Sequence, residues 1–276
     1  MILLLEILLL GAGLLSLTAC SEGEGAARPQ ATPSAQVLWT AGMERGDLSE
    51  WSSGKGGGKF NSGAADAEAS QDYAHGGNWS AKLTISGTTA SATRLWRWKE
   101  ARENRELYYS TWYFFPRPYV MAPGGWSNLF FFKSRTSFWR NDPFFMIGWE
   151  TVQPHGGLRL NLGWWLGLTI EGPQPGQGGA RQWVSPIEIP VGRWFHVETR
   201  YVCAADFTGA IQVWQDGVEI FRLEGVKTRY PNGDCRWAIS NYGEKISPAP
   251  VVIYADDAVV STARVGPMSA RTGSGS

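Results

Sequence analysis

The chain has 276 residues, with 25 Lys and Arg balanced by 25 Asp and Glu. A net charge of zero excludes a global field that would draw it to nucleic acid or anionic lipid, so a polyanionic ligand needs a local basic patch. Its 34 Gly and 15 Pro, with no long window of helical period, exclude a helical bundle and indicate many short strands and turns.

Residues 2–17 are apolar apart from Glu6 and run into Leu17-Thr18-Ala19-Cys20. This resembles a bacterial lipobox, whose Cys receives lipid, although no Lys or Arg precedes the apolar run. Residues 1–20 are therefore read as a targeting segment with Cys20 lipidated, and are set aside from the fold. Residues 21–36 are rich in Ser, Gly, Ala, Pro and Gln and read as a flexible tether. The expected location is the bacterial cell envelope, periplasmic or surface-exposed, with the lipid as the only membrane contact. Ser21 after the lipidated Cys favours outer-membrane delivery in a Gram-negative host.

Strands are expected at 37–39, 81–85, 93–98, 107–115, 128–133, 144–150 and 158–165, from their apolar and aromatic content. Further strands are expected at 194–203, 210–215, 218–223, 251–254 and 258–260, with Asp216-Gly217 as a hairpin turn. Residues 52–63 and 171–179 read as loops, 100–106 as a charged connector, and those past Gly266 as a disordered tail. One all-β domain over 37–264 follows, with a tail at 265–276. Cys203 falls in a strand-like segment and Cys235 in a loop. In an oxidising compartment they are expected to form one disulfide, the alternative being two buried thiols.

Several strands carry adjacent rings: Trp112-Tyr113-Phe114-Phe115, Phe130-Phe131-Phe132, Phe144-Phe145 and Trp164-Trp165. Successive side chains of a strand point to opposite faces, so only one face of each can be core. The other is expected to line a sugar-binding groove, since a ring offers flat apolar area with a polar edge. The alternative is a strand covered on both faces.

The segments Gly192-Arg193-Trp194-Phe195-His196-Val197-Glu198, Gly209-Ala210-Ile211-Gln212-Val213-Trp214-Gln215-Asp216-Gly217 and Ile253-Tyr254-Ala255-Asp256-Asp257-Ala258 resemble the concanavalin A-like lectin/glucanase superfamily. Within it, the chain is most similar to heparin-lyase-like polysaccharide lyases. The resemblance implies a jelly-roll β-sandwich of two antiparallel sheets with a groove on the concave one. Those lyases commonly carry a Gln-x-His pair on one strand. The equivalent stretch here, Phe131-Phe132-Lys133, has neither residue.

A lyase acting on a uronate polymer must blunt the carboxylate charge, remove the adjacent proton and protonate the leaving oxygen. The candidate catalytic residues are Lys133 or His155 with Tyr113 or Tyr242. Arg94, Trp96, Arg97, Tyr109, Arg135, Trp149, Gln153 and Trp164 are the candidate substrate-binding residues. His75 and His196 are read as structural. No Glu-x-Asp-x-Glu triplet occurs, which disfavours a glycosidase. Glu44, Gly46 and Asp257 suggest a structural Ca²⁺ site, the alternative being a solvated turn with a capping acid. No organic cofactor is expected, and the chain is expected to be a monomer. Three functions stay open: a lyase cleaving an acidic polysaccharide, a non-catalytic carbohydrate-binding module of the same fold, and a structural envelope protein whose rings are all core.

Overall fold

The computed structural model describes residues 36–87, 89–137, 140–152, 156–164 and 181–267. One sheet has eight strands. In spatial order seven of them are β13 (Val218–Val226), β12 (Gly209–Gln215), β11 (Trp194–Val202), β6 (Glu106–Phe114), β15 (Val251–Ser261), β4 (Ser80–Ile85) and β3 (Ala65–Ser70). The eighth, β1 (Val37–Ala41), also pairs with β15. The second sheet has seven strands, in the order β10 (Arg181–Glu188), β9 (Gly157–Trp164), β8 (Asn141–Val152), β7 (Val120–Arg135), β14 (Asp234–Ser247), β5 (Ser91–Arg97) and β2 (Gly57–Ser62). All these pairings are antiparallel. The expected jelly-roll sandwich is the architecture observed. Among the described residues the one α-helix is a single turn, Glu100–Glu103, and no helix is long and apolar enough to cross a membrane.

The core lies between the sheets. Phe130 and Phe132 of β7, Phe145, Ile147 and Trp149 of β8, and Trp237 and Ile239 of β14 are buried on one side. Tyr109 and Tyr113 of β6 and Phe195, Val197 and Tyr201 of β11 are buried on the other. The hydroxyl of Tyr113 donates to the Leu129 carbonyl at 2.8 Å, a cross-sheet bond. Asp216 and Gly217 both have positive φ, 48° and 82°, as the two-residue hairpin between β12 and β13 requires.

Four strands were not expected. Residues 57–62, read as loop, form the edge strand β2, and β3 and β10 are also new. The fourth, β14, is central, between β7 and β5, and carries both Cys235 and Tyr242. Its Gly, Asp and Asn content mimics a loop. Cys235 is thus a strand residue, and its disulfide with Cys203 links the end of β11 to the start of β14 across the sandwich.

The adjacent rings have more than one cause. On β6, Trp112 and Phe114 leave the core on the face turned away from the seven-stranded sheet, and Trp112 borders a hollow of about 510 Å³ beside Glu44 and Asp257. The loop at 72–79 covers them, with Tyr73 stacked on Phe114 at 4.4 Å and His75 on Trp112 at 3.8 Å between ring centroids. Phe144 and Phe145 are both core, Phe144 against Tyr230. Phe131 turns from the core to the wall of a groove on the seven-stranded sheet.

Candidate active site

The face of the seven-stranded sheet turned away from the core carries a groove of about 690 Å³. Period two puts its lining residues there. On β8, Met146 and Glu150 alternate with core residues Phe145, Ile147 and Trp149. On β9, Asn161 and Gly163 alternate with Leu158, Leu160 and Leu162. Arg94 comes from β5, Phe131 and Lys133 from β7, Tyr242 from β14 and Gln182 from β10. Gly148 lies over the Ser127 carbonyl so closely that any Cβ would collide with it.

Three groups with proton or anion chemistry converge in this groove. Lys133 donates from Nζ to the Asn141 carbonyl at 3.2 Å and lies 5.2 Å from the Phe131 ring centroid. Burial, then the neighbouring Arg94 cation, pulls its ammonium down to about 8, while Asp142 opposes the shift. The Arg94 guanidinium sits 4.3 Å over the Tyr242 ring, and burial pulls its pKa down. The Arg94 Nε is buried without a hydrogen-bond partner. Trp126 packs edge-on against Tyr242 at 4.4 Å, which holds the phenol ring between Trp126 and Arg94. Trp96 underlies the same wall in a small cluster with Phe131 and Ala238.

Farther along β8, Glu150 Oε2 accepts from Asn161 Nδ2 at 3.1 Å and Gln182 Nε2 at 2.7 Å. The sequence pattern did not single out Asn128, Trp126, Met146, Asn161 or Gln182. Alternation along β9, with Leu158, Leu160 and Leu162 against Arg159, Asn161 and Gly163, was the available signal.

The other expected site residues lie elsewhere. Tyr113 and Tyr109 are corrected to core positions, because β6 belongs to the opposite sheet and turns both rings inward. Trp149 is fully buried on the core face of β8. Trp164 packs parallel to Phe145 at 6.2 Å, on the core side of β9. Arg97 is buried in an ion pair with Glu100, donates to the Lys55 carbonyl at 2.7 Å and stacks over Trp39, so it holds structure and does not line the groove. Arg135 is exposed at the end of β7, outside the groove lining. Gln153, His155 and Cys20 lie outside the described residues.

On the eight-stranded sheet, Glu44 and Asp257 come together around Gly42, Gly76 and Gly77. Glu44 accepts from the Asn78 and Trp79 amides at 3.0 and 2.9 Å, and Asp257 Oδ2 lies 2.7 Å from His75 Nδ1. Gly46 forms a turn, donating its N–H to the Met43 carbonyl at 2.9 Å. The acids of this set are thus engaged by N–H groups and an imidazole. Among the described residues no group of three or more His, Cys, Asp or Glu is placed to hold a metal ion.

Residues 43–245 match a family model described as polysaccharide lyase. No curated protein matches. Among solved structures, an endo-β-1,4-glucuronan lyase from the fungus Trichoderma reesei superposes with a TM-score of 0.60 at 14% identity, covering 83% of this chain and 96% of its own. An alginate lyase from Aplysia kurodai gives 0.55 at 10% identity, with 82% and 98% covered. One from a Chlorella virus gives 0.54 at 12% identity, with 82% and 99% covered. At these identities the likeness carries the fold.

Proposed function

The chain belongs to the polysaccharide lyase family, and on that premise we propose that its groove cleaves a uronate-containing polysaccharide by β-elimination. The observation that carries this reading is that Lys133, Arg94 and Tyr242 line one groove, with Arg94 near enough to Lys133 to depress its pKa. Arg94 pairs with the uronate carboxylate and so acidifies the hydrogen on the adjacent carbon. Lys133, with its pKa near 8, has a sizeable neutral fraction at mild pH and removes that proton. The electron pair forms a C4–C5 double bond as the C4–O bond breaks. Tyr242 gives its phenolic proton to the leaving oxygen, and Lys133 returns a proton through solvent. No water is added across the bond, so one product ends in an unsaturated uronate.

Purified protein mixed with a panel of uronate polymers tests this through ultraviolet absorbance from new unsaturated ends. Growth supports elimination. Retardation of the polymer without absorbance supports a binding module instead.

We further propose export with lipid attachment at Cys20, supported by Leu17-Thr18-Ala19-Cys20 and the polar tether behind it. Mass spectrometry of the membrane fraction tests this: acylated Cys20 supports the anchor, and an unmodified soluble chain opposes it. Glu44 and Asp257 are proposed to bind Ca²⁺, supported by the approach of their carboxylates around Gly76 and Gly77.

A further inference from the structure

Strand register carries one row of side chains across the outer face of the seven-stranded sheet. Met146 of β8 pairs with Phe131 of β7, Phe131 with Ala238 of β14, Ala238 with Trp96 of β5, and Trp96 with Gly58 of β2. Met146 and Phe131 line the groove, so this row is its floor, and the floor runs across the strands. Lys133 and Arg236, partners in register, stand on one side of the row, and Arg94 and Tyr242 on the other. The row continues past the groove lining to the β2 edge, where it meets two rings. A Cβ at Gly58 would lie 2.8 Å from Phe60 Cε2 and 3.4 Å from Trp98 Cη2, so the missing side chain lets both rings close over the backbone. Phe60, the register partner of Arg94, is 53% exposed, while Lys59 on the other face of β2 is tied to Asp66 at 2.7 Å. Trp98 packs on the cluster of Trp96, Phe131 and Ala238, with the Arg236 guanidinium 5.3 Å from its ring. Arg236 is itself paired with Asp234 at 2.9 Å. A single exposed Phe is ordinary, but one set beside a Trp at the end of a groove floor offers a flat apolar seat for a sugar face.

We infer that the polysaccharide lies across the strands and that the Phe60 and Trp98 rings hold one of its distal units by stacking, without regard to its carboxylate. This rests on the elimination reading above, which puts the cleaved bond beside Lys133. From Phe131 on β7 to Gly58 on β2 is three strand spacings, about 14 Å at about 4.8 Å each. Successive units of a 1,4-linked chain advance by about one strand spacing, so the rings meet a unit that a trisaccharide spanning the cleaved bond does not reach.

The test measures kcat/KM on a polymer and on its trisaccharide, using polyglucuronate, where every unit is charged, and hyaluronan, where glucuronate alternates with an N-acetylhexosamine. Phe60→Ala should lower the polymer-to-trisaccharide ratio about 10-fold, through KM on the polymer, equivalent to about 1.4 kcal/mol. Phe60→Tyr, which keeps a flat ring, should retain the wild-type ratio. Phe207→Ala removes a ring exposed on the loop between β11 and β12 and should not move the ratio. An unmoved ratio in Phe60→Ala, or an equal fall in Phe207→Ala, overturns the inference. If wild type releases no unsaturated ends from either polymer, elimination fails as a reading. The rings are then judged by affinity retardation of both polymers: dissociation constants about 10-fold weaker for Phe60→Ala than for wild type support the distal seat, and equal ones overturn it.

Discussion

Lys133 carries the sharpest test, because activity and stability are expected to move in opposite directions when it is replaced. Its pKa near 8, against an ordinary 10.5, leaves about a tenth of the amine neutral at pH 7 rather than about one part in three thousand, a gain of roughly 300-fold in base. kcat/KM should therefore rise with pH and level off through a midpoint near 8. Lys133→Met should lose a factor of about 10²–10⁴ and the inflection with it. The folded pKa is depressed, so between 8 and 10.5 the unfolded chain binds more protons and stability rises with pH. Below 8 the full cost of burying the ammonium applies. A shift of this size corresponds to about 3 kcal/mol, reduced to about 1–2 by the solvent reaching the half-buried side chain. Lys133→Met should thus be more stable than wild type by about 1–2 kcal/mol at pH 7, and the gain should vanish above pH 10.5. Initial rates from pH 6 to 10, with denaturant unfolding at pH 7 and near pH 11, measure both arms. Superimposable pH–rate profiles for wild type and Lys133→Met would refute the reasoning.

Tyr113→Phe removes a buried cross-sheet hydrogen bond to Leu129 and should cost about 1–2 kcal/mol in denaturant unfolding while kcat/KM stays within about twofold. A large loss of activity at unchanged stability would return Tyr113 to the site. Replacing Cys203 and Cys235 together by Ser opens a loop of sequence separation 32 and should lower stability by about 3–4 kcal/mol. Reduced wild type should match that variant, and an unchanged denaturant midpoint in both would show that the cross-link contributes nothing. Millimolar Ca²⁺ should raise the melting temperature of wild type and not that of Glu44→Gln, whereas identical curves in Ca²⁺ and in chelator would remove calcium from this fold.

The architecture was legible because hairpin chemistry and aromatic strands are local signals. Asp216-Gly217 has one comfortable use, and β6 and β11 match their expected bounds to within a residue, whereas β7 begins eight residues before its aromatic run, in a Gly- and Pro-containing stretch that reads as loop. The site was legible in part. Lys133, Tyr242 and Arg94 do line one groove, but Tyr113, Tyr109 and Trp149 do not join them, because the sequence tells which residues share a face and not which sheet that face belongs to. Arg97 misled for a similar reason: it shares β5 with Arg94 at odd spacing, which sends the two guanidinium groups to opposite sides. Its partner Glu100 lies in the connector, where the sequence gives no sign of an ion pair. The surplus rings of β6 found their cover in the 72–79 loop, a contact that only tertiary structure reveals.

The most direct measurement is the ultraviolet trace of polyglucuronate and hyaluronan incubated with wild type and with Lys133→Met at pH 8. Steady growth of unsaturated ends with wild type on at least one polymer, and near silence with the variant, is the predicted result. Silence from both proteins, or equal growth from both, would contradict elimination by this groove.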